Sequence, residues 1–145
     1  MNKYMAEALR LAEEAFSENE VPVGAVVVKS SEIVGRGRNR REEKNSVMSH
    51  AEIEAIEDAC KTLGTWHLDG CEIYVTLEPC LMCAGAIINA RIKSVHFGAY
   101  DKKAGAASSV LNAFEFNLGT KTEVYNAVAE YECSEILKRF FERLR

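Results

Sequence analysis

A chain of 145 residues, 48% hydrophobic and 28% charged, is long enough to bury one core, and no apolar run nears the ~18 residues of a membrane-spanning helix. Its net charge of −4 argues against a uniformly basic nucleic-acid binder, and five cysteines, an odd number, argue against a disulfide framework. The expectation is one domain over residues 1–145. The first residues lead into a stretch too acidic for a signal or transit peptide, so a cytoplasmic setting with reduced thiols is expected.

Residues 4–16 place Tyr4, Ala8, Leu11, Ala12 and Ala15 on one face at helical spacing. Val23 to Val28 is too apolar and too rich in β-branched valine for an exposed element, which predicts an interior strand, and Lys29 to Glu32 predicts a turn into a partner strand beginning at Ile33. A helix is predicted over 50–63, with Ile56, Ala59, Cys60 and Leu63 on one face. Strands follow over 71–77, 92–99 and 122–128, and Pro79 is placed at the first position of a helix between the first two. The last helix sets Cys133, Ile136, Leu137, Phe140, Phe141 and Leu144 on one apolar face. Strands alternating with helices predict an α/β layered fold.

Charge is segregated along this order. Residues 35–49 carry Arg36, Arg38, Arg40, Arg41 and Lys44 against only Glu42 and Glu43. Residues 80–110 carry Arg91, Lys93, Lys102 and Lys103 against Asp101, and the rest of the chain is strongly acidic. Such segregation permits a local phosphate-binding surface, and equally permits solvated loops on a soluble protein.

Two short segments carry chemistry: His50-Ala51-Glu52 and Pro79-Cys80-Leu81-Met82-Cys83. Cys80 and Cys83, three apart at the start of a helix, share a face, and a helix N-terminus favours the thiolate a metal needs. Cys-x-x-Cys alone also fits a redox motif, but such a motif gives no reason for His50 and Glu52. One histidine with two cysteines leaves a tetrahedral zinc one open position, where water becomes hydroxide near neutral pH. Glu52 has two readings: a proton carrier beside the metal, or the closing residue of a capping box begun by Ser49. His67 and His96 lack such companions and read as ordinary surface or core residues, and Glu78 reads as structural.

His-x-Glu followed by Pro-Cys-x-x-Cys resembles the signature of the zinc-dependent cytidine deaminase superfamily. Val21 to Ala25, Asn39, the block Val75 to Ile87, Arg91-Ile92, Phe97-Gly98-Ala99 and the stretch from Asp101 through Lys103 to Ala106 further resemble the bacterial tRNA-specific adenosine deaminases. The similarity extends through Leu137, Phe140, Phe141 and Arg145, and so runs over nearly the whole chain. It implies a three-layer α/β/α sandwich with a mixed five-stranded sheet, a homodimer, and one Zn2+ per chain on His50, Cys80 and Cys83. It further implies Glu52 as proton shuttle, deamination of the wobble adenosine in a tRNA anticodon loop, Asn39 and Val23 at the base, and Asp101, Lys103 and Ser109 near the RNA backbone. Departures fall at Val47-Met48, Ser108 and Gly119-Thr120, outside the chemistry. The alternatives are a deaminase of free guanine, cytosine or a small nucleoside with the same zinc chemistry, and a non-catalytic zinc-stabilised subunit.

Overall fold

The computed structural model describes all residues, 1–145. Its elements in chain order are α1 (Lys3–Ser17), β1 (Gly24–Lys29), β2 (Glu32–Arg38), α2 (Arg41–Lys44), α3 (Ala51–Leu63), β3 (Glu72–Leu77), α4 (Leu81–Asn89), β4 (Ser94–Ala99), β5 (Glu123–Tyr125) and α5 (Glu130–Arg143). A single 3₁₀ turn, Ala113–Glu115, precedes β5. The strands form one sheet in the order β2-β1-β3-β4-β5. β1 runs antiparallel to both its neighbours, while β3, β4 and β5 are parallel, so the sheet is mixed and five-stranded as expected.

β1 is apolar on both faces because both are covered. Ala25 and Val27 face α3 and α4 with Ile73, Val75, Val95 and Phe97, whereas Val26 and Val28 face α1 and α5 with Met5, Leu11, Tyr74 and Cys133. These two apolar layers make the sandwich. Each buried Val, Ile or Phe contributes about 1.5–3 kcal/mol. Exposed ion pairs such as Arg10–Glu14 contribute at most about 1 kcal/mol, so the two layers, not the surface pairs, fix the position of the site.

Local chemistry explains the main boundaries. Asn2 Oδ1 accepts from the N–H groups of Tyr4 (2.8 Å) and Met5 (3.0 Å) and so caps α1. Gly64, at φ 69°, ends α3 in the left-handed conformation. Gly37 on β2 lies against the backbone of Ala51 and Ala55, where no Cβ fits, and this lets the start of α3 rest flat on the sheet.

Several local expectations are corrected. The N-cap of α3 is His50 with no side-chain cap bond, so the Ser49/Glu52 capping box is absent. α4 begins at Leu81 behind the N-cap Cys80, which places Pro79 before the helix rather than at its first position. β5 has only three residues, and the short turn α2 is an element that no sequence signal predicts. On α5, Cys133, Ile136 and Phe140 are buried, but Phe141 and Leu144 are exposed at 47% and 65%. No helix is long and apolar enough to cross a membrane.

Candidate active site

β2, β3 and β4 all end on the same edge of the sheet, and the segments that leave them build one cavity of about 550 Å³. Its lining includes Val21, Val23, Asn39, Arg41, His50, Glu52, Leu77, Glu78, Cys80 and the run Tyr100–Ala104. Leu137 and Phe141 of α5 close one side. Open α/β sheets place ligands at the carboxyl ends of their strands in this way.

His50 precedes α3 and Cys80 precedes α4, and Cys83 lies in the first turn of α4, so two helix N-termini converge on one point. His50 Nδ1 is 3.7 Å from Cys80 Sγ and 3.6 Å from Cys83 Sγ, and all three donor atoms lie within 4.8 Å of one another. An ion with zinc's bond lengths and a tetrahedral angle sets an N···S edge of about 3.6 Å. The three side chains can therefore hold a metal ion without rearrangement, and their soft-thiolate and imidazole chemistry suits zinc.

Electrostatics support the same grouping. The hydrogen bond from the Cys83 thiol, with the neighbouring His50, holds the Cys80 thiol down to about 3, and Cys83 is pushed up in turn. His50 is raised by its bond to Cys80. A divalent cation among these donors displaces the shared protons.

Glu52, 4% exposed, lines the same cavity two residues after His50. Burial pushes its carboxyl up to about 7, against the opposing effects of backbone and His50. Freed from any capping role, it is a carboxyl that can both take and give a proton near neutral pH.

Asn39 sits on the cavity wall. Its Nδ2 donates to Val21 O at 3.1 Å and its Oδ1 accepts from Arg41 N at 3.2 Å, which leaves one N–H and one lone pair for a ligand. Val23 lies beside it. Asp101 Oδ1 accepts from the N–H groups of Lys103 and Ala104, folding the turn that brings Lys103 to the rim. Ser109 does not line the cavity, and its hydroxyl donates to Glu78.

Glu78, 2% exposed, accepts from the N–H groups of Asp101, Ala107, Ser108 and Ser109 at 2.8–3.1 Å as well as from that hydroxyl. Gly105 packs on its carboxyl so closely that a Cβ would collide with it. Despite burial, the bonds from Ser109, Asp101 and Ala107 hold the Glu78 carboxyl below its usual range. Glu78→Gln puts an NH2 among these donors and forfeits charged bonds worth about 1.5–3 kcal/mol each. Hydrogen exchange is expected to show the amides of 101–109 losing protection while β3 keeps its own. Unchanged protection across 101–109 would refute this anchoring.

His67, exposed and stacked on Trp66, and His96, stacked between Tyr74 and Tyr125, stand apart from the metal donors. The sequence did not single out Leu137 and Phe141 as cavity residues. The only available signal was an apolar stripe on the last helix wider than its buried part.

The MafB19-like deaminase family matches residues 1–145. The tRNA-specific adenosine deaminase of Bacillus subtilis is 46% identical over 143 residues, covering 98% of this chain and 89% of that one. A solved structure from work on A-to-I editing by tRNA:A34 deaminases at the wobble position of transfer RNA superposes with a TM-score of 0.90. It is 43% identical and covers 94% of this chain and 99% of its own. The guanine deaminase of Bacillus subtilis superposes at 0.67 with 39% identity, over 79% of this chain and 74% of that one. The sandwich is thus the cytidine deaminase-like fold, and the chain belongs to the MafB19-like deaminases and to the family of tRNA-specific adenosine deaminases.

Proposed function

We propose that this protein deaminates adenosine to inosine hydrolytically at the wobble position of a tRNA anticodon, with residues 1–145 acting as one deaminase domain. The observation that carries the substrate is the chain-long likeness to tRNA:A34 deaminase, closer than that to guanine deaminase. The chemistry rests on the cluster of His50, Cys80 and Cys83, of which His50 and Cys80 line the same cavity as the buried Glu52.

His50, Cys80 and Cys83 would hold one Zn2+. When bound, it supplies the Lewis acidity that brings water's deprotonation into the neutral range. Glu52 takes a proton from the attacking water and delivers it to the purine ring as the C6–O bond forms. It then takes the proton of the new C6 hydroxyl and passes it to the departing amine as the C6–N bond breaks and the C6 carbonyl forms, so water and adenosine yield inosine and ammonia. Asn39 holds the base through its free amide groups, Val23 and Leu77 form apolar walls, and the turn from Asp101 to Lys103 faces the RNA backbone. Ser109 acts by keeping that turn on Glu78. An adenine in an anticodon loop leaves its stack at little cost, which suits a recessed site.

A homodimer in the cytoplasm completes this reading. α4 and the 106–114 segment pack together around Ala84, Ile88, Ala106 and Ala113, and they and the residues just beyond leave Leu81, Val110, Leu111, Phe116 and Leu118 exposed. An apolar face of that kind suits a second subunit.

The likeness to guanine deaminase favours one rival, a free-base enzyme. Offering the purified protein a tRNA anticodon stem-loop, free adenosine, guanine and cytosine separates them. Ammonia is expected from the RNA and scarcely at all from the small molecules, which lack remote binding energy. Rapid turnover of guanine or cytosine with the RNA untouched would overturn the proposal.

A further inference from the structure

The basic stretch at 36–44, which runs from the end of β2 through α2, is largely cancelled by the fold. Arg36 pairs with Glu7 at 2.8 Å, Arg38 with Glu18 at 2.9 Å, Lys44 with Glu54 at 2.9 Å, and Arg40 with Glu43 and Glu54. Arg41 alone of the five makes no ion pair, and it alone lines the cavity. Lys103 lines it from the segment after β4. Since β1 and β3 lie between β2 and β4, the two cations stand on opposite sides of the cavity mouth.

Arg41 begins α2, a single exposed turn whose N-cap, Arg40, supplies no capping bond. Four residues do not hold a helical turn by themselves. The missing partner comes from just beyond α1: Glu20, 2% exposed, accepts from Glu42 N at 3.1 Å and Glu43 N at 2.8 Å, while its own N–H donates to Ala15 O. No cation pairs with this carboxylate, so its burial is costly and is offset by these backbone bonds. Bonds from Asn39 to Val21 and Val23 complete the clasp between residues 20–23 and 39–43.

We propose that Arg41 binds a substrate phosphate across the mouth from Lys103, and that Glu20 is the positioning residue that holds Arg41 there. This rests on the reading of the substrate as RNA. Cations on two sides of a recessed pocket fix where the strand crosses, and so which base enters.

The test uses the metal-loaded protein and an anticodon stem-loop RNA with adenosine at the wobble position. Failure of the unaltered protein on that RNA sinks the substrate reading, whereas the phosphate contact is judged by variants compared with an active unaltered protein. Arg41→Ala is expected to raise KM about tenfold or more, as loss of a charged hydrogen bond does. kcat should stay within about twofold, because the interaction is shared by ground and transition states. The salt dependence of binding should flatten by about 0.7 in slope. Arg41→Lys should recover part of the loss, and Arg36→Ala, whose guanidinium is already paired with Glu7, should change neither KM nor slope.

Glu20→Gln should reproduce the KM effect with metal content and kcat kept, and adding Arg41→Ala to it should cost little more. If Glu20→Gln does not fold, Glu20→Asp, too short to reach both N–H groups, serves the same arm. Unchanged KM and salt slope in an active Arg41→Ala protein would overturn the phosphate contact. Full additivity of the two substitutions would overturn the positioning role.

Discussion

Replacing Glu52 with glutamine is expected to leave a folded, metal-loaded protein whose turnover falls by about 10²–10⁴-fold or more. The substitution keeps the size of the side chain and removes only its ability to exchange a proton. The usual objection, that a glutamate near a helix start is there to cap it, does not hold: α3 has His50 as N-cap and no side-chain cap bond. Burial pushes the Glu52 carboxyl up to about 7, which matches the work of moving protons near neutral pH and costs stability that a structural acid would not need to give up. Ammonia release, metal content and melting temperature measured on one preparation decide the matter. Turnover near that of the unaltered protein would remove Glu52 from the chemistry.

Removing both thiols, Cys80→Ala with Cys83→Ala, is expected to take metal content from one ion per chain to essentially none, with complete loss of activity. A single imidazole cannot retain an ion that needs at least three protein ligands. The remaining cysteines provide the control. Cys71 and Cys133 are buried among apolar side chains and Cys60 partly so; burial raises all three thiols, Cys133 to about 12. Their alanine variants should keep full metal. Metal analysis after dialysis reads both sets, and full occupancy in the double variant would overturn the ligand assignment.

Much of this was legible in the sequence because the signals are local. The unbroken apolar run of β1 marks a strand covered on both faces, and the period of α1 marks its buried side. The donors are legible because Cys80 and Cys83 sit within one turn and Pro79 marks the approach to it. What was illegible depends on partners far away in the chain. The charge of the basic stretch at 36–44 permitted either a phosphate-binding surface or solvated loops, and Glu7, Glu18 and Glu54 come from α1, from just beyond it and from α3 to neutralise most of it. The α2 turn has no propensity signal of its own, since Glu20, two strands earlier, makes it. Ser49 and Glu52 fit the spacing of a capping box, but the chain enters α3 one residue later, with His50 at the cap.

The two buried carboxylates also bear on how such a protein changes through descent. The clustered donors His50, Cys80 and Cys83 stand at helix starts, whereas the cavity walls hang from Glu20 on one side and Glu78 on the other. Each anchor bonds backbone N–H groups, which every residue but proline possesses. The side chains at 42 and 43 and at 107 and 108 are therefore free to vary without loosening these bonds. A lineage can explore new rim chemistry one substitution at a time while the cluster of His50, Cys80 and Cys83 stays assembled.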